Sequence, residues 1–338
     1  MAKTNSKGLG LQECKSTFVI KGKVTGVDKD NFYRELTTKT GKDMRMISFG
    51  VEYDKGKTVY ISLNGMERDN VYFSAKVDGK NETEIVPWTQ RKTWKKDGYR
   101  LMGVGLGLTK MRNEKGNLEN EKCTLVEYDA CKYIADNLKD DMSVFVRGKI
   151  EYSEYNGKHQ TKFVPAQISL CSDIDFNAEN FEPTAIFEQQ ICFMGIDKAE
   201  TNGEFVVSAK IVGYNSVEDA EFFMSKVPLA KNLRALKPYT AVEISGNIEV
   251  IHDVVVEEDD DGWGVSPMAA LKNPTVRRLF ITAGNQHSID DSIYSEKEIE
   301  EAVTKMKSNK TAKADYGETS DDSWGKPSKM SEVEDDWD

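Results

Sequence analysis

Between Trp88 and Arg112 the chain reads WTQRKTWKKDGYRLMGVGLGLTKMR, where Arg91, Lys92, Lys95, Lys96, Arg100, Lys110 and Arg112 stand against the single acid Asp97. That is a surplus of +6 in 25 residues, with Trp88, Trp94 and Tyr99 set between the cations. A single-stranded nucleic acid asks for this pairing of groups: cations spaced along its phosphates and flat rings on which bases stack. The plain alternative is a solvated β-excursion whose tryptophans pack on the body of the protein and whose lysines serve solubility.

Other chemistry is poorly represented. Gly103, Gly105 and Gly107 give GxGxG, but no helix start follows and no βαβ unit surrounds it, so it reads as a glycine-bearing strand and not as a nucleotide loop. His159, His252 and His287 are far apart, and no Cys/His spacing fits zinc. The acids Glu257, Glu258, Asp259, Asp260 and Asp261 are consecutive, which suits a solvated loop better than a two-metal site. The expectation is a protein without catalysis, metal or cofactor. Cys14, Cys123, Cys131, Cys171 and Cys192 are odd in number and scattered, so they read as reduced, mostly buried thiols.

The elements that would position the basic segment come from periodicity. Thr17 to Val27 alternates as a half-buried strand; Met44 to Tyr53 and Thr58 to Met66 follow around a tight turn. Glu127 to Leu138 has helical spacing. Ser143 to Tyr152 and Gln160 to Leu170 close the unit around Asn156-Gly157, a strong hairpin signal. Three strands, a helix and two strands is the element order of the OB-fold, a Greek-key barrel that holds oligonucleotides and oligosaccharides. With Phe18, Ile20, Val59, Ile61, Val144, Val146 and Ile150 pointing inward, alternation sends Lys21, Lys23, Tyr60, Ser62, Asn64, Arg147 and Lys149 outward. The loops flanking the groove hold Phe32, Tyr33, Arg34, Lys39 and Lys42, then Tyr155, Lys158 and His159.

A second copy follows. Leu138 to Glu151 and Leu236 to Glu249, offset by 98 residues, are identical at six of 14 positions. The same order of elements recurs around the match, from Gln189 to Ile196 through Asn202-Gly203, Glu204 to Val212, Ala220 to Ser225 and a helix near Leu229 to Leu236, ending at Thr275 to Ala283. Repetition of this kind means one architecture used twice. The fold expected is therefore all-β dominated, with minor α content: two tandem OB-fold-like barrels, a long β-rich insertion and a disordered acidic tail. In residue numbers, 1–15 form a flexible N-terminus, 16–172 the first barrel with insertion 67–126, and 185–287 the second. A short helix at 295–307 with a Ser295/Glu298 capping box precedes a disordered tail at 308–338.

Charge divides the same way. The 338 residues carry a net charge of -11, but residues 1–172 hold 30 basic and 23 acidic side chains, giving +7; 173–287 give -10 and 288–338 give -8. The acidic average conceals a basic first half. The tail keeps Trp324 and Trp337 in the settings Asp-Asp-Ser-Trp and Asp-Asp-Trp-Asp. A ring in a disordered acidic segment reads as a short docking motif. No run of about eighteen apolar residues occurs and no signal peptide opens the chain, so a cytoplasmic protein off the membrane is expected.

Val144 to Tyr152 with the Asn156-Gly157 hairpin, together with the tip Glu332-Val333-Glu334-Asp335-Asp336-Trp337-Asp338, resembles the single-stranded DNA-binding proteins of bacteria and their phages. That family places an OB-fold first and an acidic tail last, and its tail tip recruits replication and repair proteins while competing with DNA for the basic groove. The bacterial tip ends in an Ile-Pro-Phe-like group, whereas this one ends in Trp followed by Asp, closer to phage tails. The resemblance implies a phage-encoded protein binding single-stranded DNA, or RNA, without sequence preference, in replication, recombination or repair. Replication or recombination proteins would dock on Trp324, Asp335, Asp336 and Trp337, and homo-oligomers are compatible with it. The rival reading, from a different class, is a protein-interaction or assembly module in which the basic insertion receives an acidic partner.

Overall fold

The computed structural model describes residues 8–155, 158–199, 203–252 and 275–315. The Asn156-Gly157 turn, Asn202, the acidic loop with Trp263, and the tail from 316 with Trp324, Asp335, Asp336 and Trp337 lie outside the described residues.

The first ring is built by β1 (Ser16–Thr25), β3 (Asp43–Asp54), β4 (Lys57–Met66), β12 (Ser143–Tyr155) and β13 (Lys158–Leu170). β1, β3, β4 and β12 read inward mainly at alternate positions, and β13 changes parity at a bulge between Phe163 and Ile168. Phe18, Ile20, Val59, Ile61, Val144, Val146 and Ile150 are all buried, as the alternation requires. β1 pairs antiparallel with β3 and β12, β3 with β4, and β12 with β13, while β4 meets β13 in parallel at Ile61 opposite Phe163. The order β1-β3-β4-β13-β12-β1 is that of an OB-fold. Helix α1 (Glu127–Asn137) lies across β3 and β4 and buries Tyr128, Ala130, Cys131 and Ile134. Glu127 and Asp129 in its first turn suit the positive end of the helix dipole.

The second ring repeats the scheme with β14 (Thr184–Lys198), β15 (Phe205–Val212), β16 (Val217–Met224), β17 (Thr240–His252) and β18 (Thr275–Asp290), again closed by a parallel contact, Phe223 opposite Phe280. A short helix, α2 (Val227–Arg234), sits between its third and fourth strands. The rings are not separate bodies. Ser16 to Lys21 of β1 pair with Thr184 to Gln189 of β14, so both rings belong to one 13-stranded sheet.

The insertion contains more strand than its sequence disclosed. β5 (Asn70–Val77), β6 (Lys80–Pro87) and β7 (Arg100–Leu101) form a separate sheet in the order β6-β5-β7. β8 (Val104–Gly107) returns to the main sheet beside β13, with β11 (Cys123–Leu125) on its far side, and β9 (Lys110–Arg112) pairs with β10 (Leu118–Asn120) as a ribbon. The GxGxG segment is thus a strand. β2 (Tyr33–Thr37) adds to β3 within the loop joining the first two ring strands.

Two terminal expectations change. Residues 8–15, read as flexible, are fastened by backbone bonds from Leu9 N to Tyr214 O and from Cys14 N to Val212 O. Leu9 and Leu11 pack beside Val212, Tyr294 and Ile299, giving the segment an apolar reason to stay. The last helix, α3 (Glu296–Asp315), runs past its expected end at 307. Ser295 caps the helix by accepting from the Glu298 N–H, while the Glu298 carboxylate accepts from the Ser295 hydroxyl in place of the backbone N–H of a full capping box, and Ile299 and Met306 are buried on one face. All five cysteines are free; Cys131 and Cys192 are buried and the other three half-buried.

Candidate nucleic-acid interface

The basic insertion folds around its aromatic residues. Phe73 of β5 and Trp94 approach to 4.3 Å between ring centroids, Trp88 meets Tyr128 edge-on at 5.8 Å, and Trp94 meets Tyr99 at 6.1 Å. With Val71, Val86 and Val126 they make a small core of their own. Trp88, Trp94 and Tyr99 are half-buried there, so they hold the insertion sheet against α1.

Several cations of the segment are committed to acids. Arg91 donates from Nε to Asp129 at 2.7 Å and from its terminal nitrogen at 3.2 Å, with its guanidinium 4.2 Å from the Trp88 ring. Lys92 lies 3.6 Å from the same carboxylate, which is 8% exposed and at the head of α1. Lys96 pairs with Glu84 at 2.5 Å and stands 4.2 Å from the Tyr99 ring, whose hydroxyl donates to Glu82. Tyr99 is held above its ordinary pKa chiefly by that hydrogen bond. Lys95, Arg100, Lys110 and Arg112 are exposed, the last two on the β9–β10 ribbon.

The ring surface holds the other candidates on two faces. On β1 and β12, Lys21, Arg147 and Lys149 are exposed and Lys23 is half-buried; Lys149 contacts Glu151 at 2.7 Å. Arg147 lies in a row of register partners that runs Gly105, Gln167, Arg147, Val19, Ile186, Asn247, from the insertion's returning strand across both rings. Tyr60 stands on β4, 46% exposed, with the Arg277 guanidinium of β18 4.6 Å from its ring centroid. It borders a cleft of about 470 Å³ between the rings, where Tyr152, His159 and Phe163 face Phe223, Arg277 and Arg278. Of its neighbours on β4, Asn64 is half-buried, and Ser62, expected outward, is only 9% exposed beside Tyr152 and Lys162. Phe32, read as a loop ring, is buried in the core, and Tyr33 donates its hydroxyl to Glu35. The candidates therefore occupy three surfaces.

Two groups escaped the sequence reading. Arg277 sits in the acidic half, where no local pattern tied it to Tyr60. Tyr72, Ile85 and Met102 are exposed on the outward face of the insertion sheet. Asp78-Gly79, a hairpin dipeptide between alternating runs, was the signal for that sheet.

A family model described as YorF matches residues 15–319, which spans both rings and α3. The chain belongs to the YorF family. No curated protein matches this YorF chain. Among solved structures, the wild-type single-stranded DNA binding protein from Thermus aquaticus is similar at 12% identity with a TM-score of 0.38, covering 81% of this chain and 93% of its own. A deletion mutant of that protein gives the same identity and score, covering 81% of this chain and 94% of its own. Likeness at this level carries no functional argument. Among the described residues, no helix is long and apolar enough to cross a membrane.

Proposed function

We propose that the chain binds single-stranded nucleic acid, DNA in the first instance, with little base preference and without catalysis. The observation that carries this reading is the pairing order of the first ring. Its parallel closure sets the outward residues of β3 and β4, with Tyr60 exposed and Ser48 and Asn64 half-buried, between the β2 arm and the β12–β13 hairpin, on the half of the chain with the +7 surplus. That face, between those two connections, is where OB-folds hold oligonucleotides. Fold gives only the class; side chains give the chemistry. Tyr60 offers a ring with a guanidinium beside it, and Lys21, Lys95, Arg100, Arg147 and Lys149 offer exposed cations for phosphates. The tail, by its charge and its two tryptophans, recruits replication or recombination proteins and competes for the basic surface.

Titrating labelled oligo(dT) and a matched duplex at two salt concentrations tests this. The expected result is preference for the single strand and affinity falling with salt, by a log–log slope near -0.7 per phosphate neutralised, as an order-of-magnitude guide. A chain ending at residue 315, after α3, should bind more tightly than the full chain at low salt. Absence of single-strand binding by both chains would overturn the proposal.

A further inference from the structure

The insertion sheet has two unlike faces. Its inner face carries Val71, Phe73 and Val86 onto Trp88, Trp94 and Tyr128. Its outer face is open. There Tyr72 is opposite Ile85, Ser74 opposite both Thr83 and Arg100, and Lys76 opposite Asn81, while Met102 donates its backbone N–H to the Tyr72 carbonyl. Tyr72, Ile85 and Met102 are 42%, 64% and 54% exposed, an apolar row running from β6 across β5 to the residue just past β7. The acids of β6, Glu82 and Glu84, fall at the other parity and are tied to Tyr99 and Lys96. The outer face therefore carries Lys76 and Arg100 and no carboxylate.

We infer that this outer face is a second contact surface for the single strand, with a base stacked on Tyr72, apolar support from Ile85 and Met102, and Arg100 and Lys76 on the flanking phosphates. This rests on the nucleic-acid reading above and relocates the insertion's share of it. The composition selects the occupant. A ring flanked by hydroxyls, an amide and two cations with no carboxylate on the same face suits a polyanion with flat apolar faces, whereas a protein partner of the same area would leave Arg100 and Lys76 to be matched by acids of its own. The position serves a continuous path. Arg100 and Leu101 lead within three residues into β8, which is hydrogen-bonded to β13 of the first ring.

The test uses the full chain, oligo(dT), and the variants Tyr72→Ala and Tyr72→Phe, whose exposed position leaves folding intact. Tyr72→Ala should weaken binding roughly tenfold, the loss of about one stacked base, and Tyr72→Phe should stay near the parent. A 4-thiothymidine oligonucleotide should cross-link within Asn70–Val77. If the parent binds but Tyr72→Ala binds equally well and no cross-link maps there, this surface is overturned and the broader reading stands. Tyr72→Ala that keeps its DNA affinity but loses self-association would assign the face to a second copy and also overturn it. A parent that binds no single strand removes the broader reading and this one together.

Discussion

At the scale of single residues, the same side chains that promised binding turn out to build. Trp94 spends its ring on Phe73 and Tyr99, and Arg91 closes a two-point bond with Asp129 in a setting where the pair is 16% and 8% exposed. Removing Arg91 takes away both of its charged hydrogen bonds but leaves the Asp129 carboxylate Lys92 at 3.6 Å and Arg45 at 4.0 Å. Arg91→Ala should therefore cost about 2 kcal/mol, within the range of hydrogen bonds to a charged group, read as a lower urea midpoint of tryptophan fluorescence. An unchanged midpoint would contradict the assignment. Cysteine behaviour gives a second check. Burial pushes the Cys131 and Cys192 thiols up to about 12, and Cys131 donates to the Leu63 carbonyl. With a folded pKa above the unfolded value of about 8.5, the native state holds the proton longer, so stability is full below that pH and declines as pH rises toward the folded value. Iodoacetamide at about pH 8 should label neither thiol in the native protein, and the urea midpoint should fall from there to about pH 10.5. Labelling of either residue by mass spectrometry would contradict their burial.

At the scale of elements, the internal repeat acquires a physical cause. Gly148 and Gly246 occupy matched positions in the fourth strand of their rings, each beside a bulge whose extra residue, Ala166 or Thr282, lies in the fifth strand. A Cβ on Gly148 would stand 2.0 Å from the Val164 carbonyl oxygen, and one on Gly246 would stand 1.9 Å from that of Phe280. Each glycine lies opposite a buried phenylalanine of the first strand, Phe18 or Phe187, so the bulge makes room where the strand bends across the ring. Backbone oxygens cannot step aside as side-chain tips do. Gly148→Ala and Gly246→Ala should each destabilise by about 3 kcal/mol or more, measured by urea unfolding; a neutral effect at both would refute the close approach. This also marks how far the sequence was legible. The ring strands were readable because β1, β3, β4 and β12 each bury mainly one parity of side chains, whereas β13 changes parity at its bulge between Phe163 and Ile168; the α3 cap was readable because Ser295 and Glu298 are local partners. The insertion was read as β-rich, but the bounds of its strands were not legible, since β6 alternates only weakly and its apolar positions Ile85 and Val86 are adjacent. The roles of Trp88 and Arg91 were hidden for a different reason. They depend on Asp129 and Tyr128, some forty positions away, which no local pattern could bring near.

At the scale of the whole molecule, the charge division and the sheet division do not coincide with two independent units. Six consecutive register pairs join β1 to β14. Away from that seam, Val250 donates to the Tyr53 hydroxyl and Arg277 donates to the Thr58 carbonyl, and at its end Tyr152 donates to Gln189. An acidic second ring held this tightly acts as a fixed wall beside the basic ring, lending Arg277 to Tyr60 while its own surplus of acids limits where a polyanion can lie. Such coupling has a consequence for unfolding. A chain ending at residue 172 would leave the Ser16 to Lys21 edge of β1 without its partner, and an open edge of alternating apolar residues invites pairing with other chains. That shortened chain should aggregate or lose stability, whereas the described body should melt in one transition, seen alike by calorimetry and by circular dichroism. Two separated transitions, the later one matching the isolated first ring, would show that the ladder between β1 and β14 contributes little to holding the rings together.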